Sequence, residues 1–143
     1  MSFDLKLANR DLVLNNGDFQ QVVDGDKLLQ DVLKAALTDA GSDPMNPWYG
    51  SNISRALIGS ALPAGISLQM AQSQLQNCLE TIKNLQSAQM QNGQKVSADE
   101  LLAAVMDVSI NRNNVDPRIF DVFIKILTKG FKTINTGFTV SNI

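Results

Sequence analysis

Acid–base and nucleophilic chemistry in this chain would have to rest on carboxylates, hydroxyls or a single thiol, because its 143 residues include 14 Asp and Glu, one Cys and no His. Two carboxylates about 5 to 10 Å apart suffice to hydrolyse a glycoside, so each close pair is a candidate. Asp24 and Asp26 precede a helical pattern, Asp39 and Asp43 flank a loop, and Asp99 and Glu100 stand at a helix start. Capping, turn chemistry and the helix dipole account for each placement. Cys78 falls on an apolar stripe at helical spacing and has no imidazole to generate its thiolate, which predicts a core residue. Asp24-Gly25-Asp26 is too short for a calcium loop and lacks the distal Glu. Gly41, Gly50, Gly59 and Gly65 form no phosphate-binding fingerprint, and no Ser-x-x-Lys arrangement occurs. With the commonest general base and metal ligand missing, no catalytic residue, metal or cofactor is expected.

The elements that would have to position any site fit one domain over residues 1–143, a length that buries a core without splitting. Hydrophobic residues make up 44% and charged ones 18%, and 12 basic against 14 acidic side chains leave a net charge of −2. Nucleic-acid binding is not expected, since phosphate recognition calls for clustered Lys and Arg. No apolar run approaches the roughly 18 residues of a spanning helix, and MSFDLKLANR has no signal-peptide core, so no membrane partner is expected and synthesis in a cytoplasm is.

Phe3, Leu5 and Leu7 alternate with Asp4 and Lys6, Leu12 and Leu14 follow the break Asn9-Arg10-Asp11, and Asn16-Gly17 suits a tight hairpin before Phe19, Val22 and Val23. A small N-terminal β-meander is predicted, with no internal repeat. Leu28, Leu29, Val32, Leu33, Ala36 and Leu37 then recur at helical spacing, with Asp24 or Asp26 as cap and Gly41 as stop. A stiff loop, SDPMNPWYGSN, spans residues 42–52, and its neighbouring Trp48 and Tyr49 are expected to anchor it by burying their rings. Loss of a buried Trp48 ring would cost on the order of 3 kcal/mol.

A short helix is predicted from Ile53 to Leu62, then a long one from about Ala64 to Met90 with a stripe of Ile66, Met70, Leu75, Cys78, Leu79, Ile82 and Leu85. Gln69, Gln72, Gln76, Gln86 and Gln89 are assigned to its outer face. Ser97-Ala98-Asp99-Glu100 has capping-box spacing for a short helix reaching Ala104. Three closing strands follow: Met106, Val108 and Ile110; Phe120, Val122, Ile124 and Ile126; and Ile134, Phe138 and Val140. Residues 111–118 and 128–130 supply the turns. The fold class is α+β: an N-terminal β-hairpin or meander, a helical middle with one long helix, and C-terminal antiparallel strands in a small mixed sheet.

The run Leu37-Thr38-Asp39-Ala40-Gly41-Ser42-Asp43-Pro44, followed by Pro47-Trp48-Tyr49-Gly50-Ser51, resembles a stretch of the baseplate wedge proteins of contractile phage tails. In that family a TxxG segment leads through prolines to a P-x-[YF]-G-[ST] turn. The order of elements is similar too, so the resemblance spans most of the chain. The family includes sheath initiators and a related subunit of the type VI secretion baseplate, and some members carry a "lysozyme-like" label.

The resemblance implies a non-enzymatic subunit of the virion tail baseplate, assembled in the host cytoplasm. Its partners would be the tail sheath protein and baseplate wedge proteins, with tail tube or hub proteins as further candidates. Pro47, Trp48, Tyr49 and Gly50 would be the structural loop, and Ile134, Thr136, Phe138, Thr139 and Val140 the strand that pairs with sheath, with residues 131–143 as the sheet edge. The family's Glu-Pro-Arg docking motif has two partial counterparts, Asp99-Glu100 and Asp116-Pro117-Arg118. Docking is thus assigned to Asp99, Glu100, Asp116 and Arg118, although Asp116-Pro117 also reads as a plain turn. The alternatives are a tail-associated muralytic enzyme and a transient assembly chaperone.

Overall fold

The computed structural model describes residues 2–9, 11–58, 61 and 63–141, with Ala64 described by its backbone alone. The first 23 residues contain a repeat that sequence reading did not anticipate. Six short strands pair as three antiparallel ladders: β1 (Phe3–Leu5) with β6 (Gln21–Val23), β2 (Leu7–Ala8) with β3 (Asp11–Leu12), and β4 (Leu14–Asn15) with β5 (Asp18–Phe19). The ladders meet at a closed ring of backbone hydrogen bonds in which Lys6 donates to Gln20 (2.8 Å), Gln20 to Val13 (2.9 Å) and Val13 to Lys6 (3.1 Å). The corners lie seven residues apart, and their surroundings repeat. Asp4 and Asp11 each accept the N–H of the following leucine at 2.8 Å, and Asn9 and Asn16 share a left-handed φ of 52°. Period-two alternation then puts Leu5, Leu7, Leu12, Leu14, Phe19 and Gln21 on one face of the triangle.

Helix α1 (Asp24–Leu37) follows at once. Neither aspartate caps it through a side chain: Asp24 begins the helix at a φ of 53° and accepts the Ser97 hydroxyl at 2.7 Å. Both still favour the positive end of the helix dipole. The helix stops before Gly41, where the Thr38 N–H and hydroxyl both donate to the Lys34 carbonyl. Its inner stripe of Leu28, Val32, Ala35 and Ala36 is fully buried.

The second helix is shorter than its pattern suggests: α2 (Ile53–Leu57) ends where Ile58 turns extended, and Gly59, Ser60 and Leu62 of the expected span lie outside the described residues. Helix α3 (Ala64–Gln91) runs 28 residues, about 42 Å at 1.5 Å per residue. Its buried stripe is Ser67, Ala71, Leu75, Cys78, Leu79, Ile82 and Gln86, so Ile66 and Met70 stand outside it. Ser67 and Ala71 take the inward places at that end, so apolarity alone pointed to the wrong residues there. Gln86 likewise moves from the outer face to the interior.

Ser97 opens only a 3₁₀ turn, Ala98–Glu100, and the chain is already extended by β7 (Leu102–Arg112), so no helix reaches Ala104. With β8 (Ile119–Thr128) and β9 (Thr133–Ser141) it forms an antiparallel sheet in the order β7-β8-β9. The fold is thus α+β, as expected, but this sheet is antiparallel throughout and the N-terminal strands form ladders apart from it. Phe120, Val122, Ile124 and Ile126 on the central strand all point into the core. Register shifts between Leu102 and Ala104 and between Val105 and Asp107 leave Met106 53% exposed, against the alternation that assigned it to the core. One apolar cluster joins this face to α1, α2 and α3. Each fully buried leucine there, such as Leu28, Leu75 or Leu79, contributes roughly 2 kcal/mol.

Candidate functional site

The closing sheet has two edge strands, and the chain treats them differently. Along β9 the Thr128 N–H donates to the Lys132 carbonyl at 2.9 Å, which makes 128 and 132 a hydrogen-bonded pair. Antiparallel ladders alternate, so the register Ile126↔Ile134 to Phe120↔Val140 directs the backbone groups of Ile134, Thr136, Phe138 and Val140 toward β8. Thr133, Asn135, Gly137, Thr139 and Ser141 therefore direct theirs to the other flank. Among the described residues β9 pairs with β8 alone. Of the five residues expected to pair with a partner, only Thr139 presents its backbone to the open flank. The other four hold the strand in place, with Val140 buried and Ile134 and Phe138 packed on the core. Thr133, Asn135, Gly137 and Ser141 share that flank with Thr139 by the same period of two. Asn142 and Ile143 of the expected edge lie outside the described residues.

At β7 the opposite arrangement holds. Asn113 donates to Ile119 at 2.8 Å, so alternation turns Val108, Ile110 and Arg112 away from β8. Helix α3 lies across that flank with its glutamines. Gln86 is 8% exposed, and its amide donates to the Glu100 carbonyl at 2.9 Å and accepts the Leu102 N–H at 2.8 Å, as a paired strand would. Gln72 donates to the Val108 carbonyl at 3.4 Å. Together with the two bulges, these contacts take up the first part of the β7 flank, as far as Val108, and disfavour strand addition there.

The four residues assigned to docking are not brought together. Asp99 pairs with Lys132 at 2.7 Å beside the β8–β9 turn, and its carboxylate raises the lysine's pKa. Glu100 is 2% exposed, and both its oxygens are taken by Ser2, through the backbone N–H at 3.1 Å and through the hydroxyl. Asp116 and Arg118 sit in the β7–β8 turn, at the other end of a ten-residue strand and so about 30 Å away. There the Asp116 carboxylate accepts the Arg118 N–H at 2.9 Å and its guanidinium at 3.1 and 3.2 Å. That pairing holds the Asp116 carboxyl below the usual range. The turn is self-contained, and the four residues form no shared patch.

The aromatic loop is fastened by its ends. Asp39 and Ser51 form a parallel bridge in which the Ala40 N–H donates to the Ser51 carbonyl at 3.1 Å and the Ser51 N–H to the Thr38 carbonyl at 2.8 Å, and the buried Ser51 hydroxyl donates to the Ala36 carbonyl at 2.6 Å. Gly50 makes this possible, because at its φ of 109° a Cβ would lie 2.4 Å from the Thr38 carbonyl oxygen. Pro47 occupies the second position of the tight turn in which the Tyr49 N–H donates to the Asn46 carbonyl at 3.0 Å. Tyr49 packs on the core, and burial raises its pKa. Trp48 does not share that role: it is 51% exposed and meets Tyr49 edge-on, with ring centroids 6.3 Å apart. The loss expected on removing a buried indole shrinks accordingly.

Cys78 is buried on α3, and burial pushes its thiol up to about 11. Among the described residues no cluster of three His, Cys, Asp or Glu is placed to hold a metal, and no helix is long and apolar enough to cross a membrane.

No protein-family model matches this chain, and no curated protein matches it. A solved structure does: a protein of Geobacter sulfurreducens described as a "putative tail lysozyme". The two superpose with a TM-score of 0.61 over 93% of this chain and 97% of that one, at 10% sequence identity. The chains share a fold. At that identity the likeness carries the arrangement of elements and no side chain.

Proposed function

We propose that this chain is a structural subunit of a contractile tail baseplate that joins the wedge and templates the first sheath ring by strand pairing along β9. The observation that carries this reading is the contrast between the two edges. Among the described residues the outer flank of β9, an uncharged strand of nine residues, has no strand beside it, while the first part of the β7 flank is taken by glutamine amides. Exposed edges are ordinarily blunted by charge, proline or bulges, and none of these interrupts TINTGFTVS. The tail setting is supported by the fold shared with the Geobacter protein and by the wedge-like loop. The mechanism is backbone pairing, and no reaction is involved.

Thr139→Pro removes one N–H from the open flank, whereas Thr139→Val keeps it and favours extended backbone. The expected outcome is that the Pro variant folds and enters baseplates but nucleates no sheath, with the Val variant near normal. Normal sheath assembly by a protein lacking residues 134–143 but still incorporated would overturn the reading.

A second reading, cleavage of murein, is favoured only by the name of the Geobacter protein. Turnover of purified cell wall, lost when one carboxylate is changed, would establish it. Glu100, the buried acid, is closed off by Ser2.

A further inference from the structure

We infer that the strand seated on β9 carries a large apolar side chain, aromatic or leucine, opposite Gly137, and that Phe123 is the residue that selects it. The inference rests on the pairing proposed above. Gly137 is the central residue of β9 and lies directly across from Phe123. Phe123 points to the outer face of the sheet and is 56% exposed. Its ring leans over the glycine, so closely that a Cβ at 137 would meet the ring at 3.1 Å. Because Gly137 has no side chain, nothing stands between that ring and the open edge. A groove of about 370 Å³ lies there, lined by Phe123, Gly137 and Asn135, with Asp107 and Lys125 opposed to each other at its far side. A residue paired with Gly137 would place its side chain over the glycine and against the ring, the arrangement by which aromatic side chains cover edge glycines.

The occupant is a strand of another protein and not a second copy. Two copies of β9 pairing antiparallel about their centres would set Gly137 opposite Gly137, leaving both grooves empty. A nine-residue edge is about 30 Å long and about 10 Å deep, on the order of 300 Å², well short of the roughly 800 Å² per partner of a stable dimer. Asp107 and Lys125 balance each other, so the groove offers no net charge to attract an ionic side chain.

The test uses the intact protein, immobilised, and a multivalently displayed library of random nine-residue peptides, with binders scored by their dependence on the β9 edge through Thr139→Pro. The expected result is a pool that loses binding to Thr139→Pro and holds Phe, Tyr, Trp or Leu at one fixed register. On Phe123→Ala, binding of that pool should fall about tenfold and the preference should vanish, as expected for the loss of an aromatic contact with its buried area. Selected peptides added to the unaltered protein should slow amide exchange at Asn135, Gly137 and Thr139, which reports pairing even if the proline variant does not fold. A pool that protects these amides without an apolar preference, or with one that survives Phe123→Ala, overturns the inference and leaves the pairing intact. Failure of every selected peptide to protect them overturns both.

Discussion

Replacing Gln86 with leucine should show how the covered edge is held. Leucine is close to glutamine in volume and suits a helix, so the substitution keeps α3 and its packing while deleting one amide. That amide satisfies two backbone groups at once, the Leu102 N–H at 2.8 Å and the Glu100 carbonyl at 2.9 Å, and both bonds are buried. An orphaned buried group costs about 1–3 kcal/mol, offset by the gain from burying an apolar side chain in glutamine's place. The net loss should be about 2–3 kcal/mol. Gln86→Glu retains an acceptor for Leu102 but no donor for Glu100, and it adds a charge to a buried site, so it should be at least as damaging. Urea unfolding read with its slope gives the stability change, and amide exchange at Leu102 locates it. A Gln86→Leu protein within about 0.5 kcal/mol of the original, with Leu102 still protected, would refute the claim that this side chain stands in for a strand.

Gly50→Ala places a Cβ 2.4 Å from the Thr38 carbonyl oxygen at a φ of 109°, so thermal melting should report a loss of at least about 2 kcal/mol. Phe131, 87% exposed, occupies a left-handed position in the β8–β9 turn that favours glycine; Phe131→Gly should raise the melting temperature by about 3 °C, roughly 1 kcal/mol. Asp4 gives a pH dependence: burial opposes its ionisation, but Lys34, Gln30 and the Leu5 N–H outweigh that and lower its pKa below 3.8. Lys34 is also penalised by burial, yet Asp4 raises it above 10.5. Stability from the pair should therefore be present between these two values, lost below the first as Asp4 protonates and lost above the second as Lys34 deprotonates. Asp4→Asn should flatten both limbs of a melting-temperature profile, and a profile unchanged by the substitution would count against the pair.

Much of this fold is written in side-chain period. β8 could be read because Phe120, Val122, Ile124 and Ile126 all face one core, and α1 because Leu28, Val32 and Ala36 recur at helical spacing, although Leu37 of the expected stripe is exposed and Ala35 is buried instead. The N-terminal triangle escaped because its corners are Lys6, Val13 and Gln20, three residue types with nothing in common. What repeats there is a backbone bond, and the flanking Asp and Asn signals are individually ordinary. Met106 was misplaced because a bulge resets alternation without altering composition. Gln86 was misplaced because polarity predicts exposure unless a backbone partner is waiting, and that partner lies 14 residues away. The same limit governs the candidate site. That residues 133–141 form a strand follows from their pattern, but which of its groups stay unpaired depends on where β8 and α3 lie.

An isolated strand edge does not by itself distinguish a template from an aggregation hazard; the asymmetry of the sheet does. Two open edges would let copies add on both sides, and strand pairing would then propagate without limit. Here α3 meets the first part of β7 through uncharged amides that copy backbone chemistry, so that part of the flank is taken within the chain itself. On the pairing proposed above, addition is directed to β9, and its central glycine disfavours a second β9 by leaving the Phe123 groove unfilled. Pairing limited to one side and biased toward an unlike strand ends after a single step. That is the behaviour required of a subunit that starts an assembly without joining it as a repeating unit.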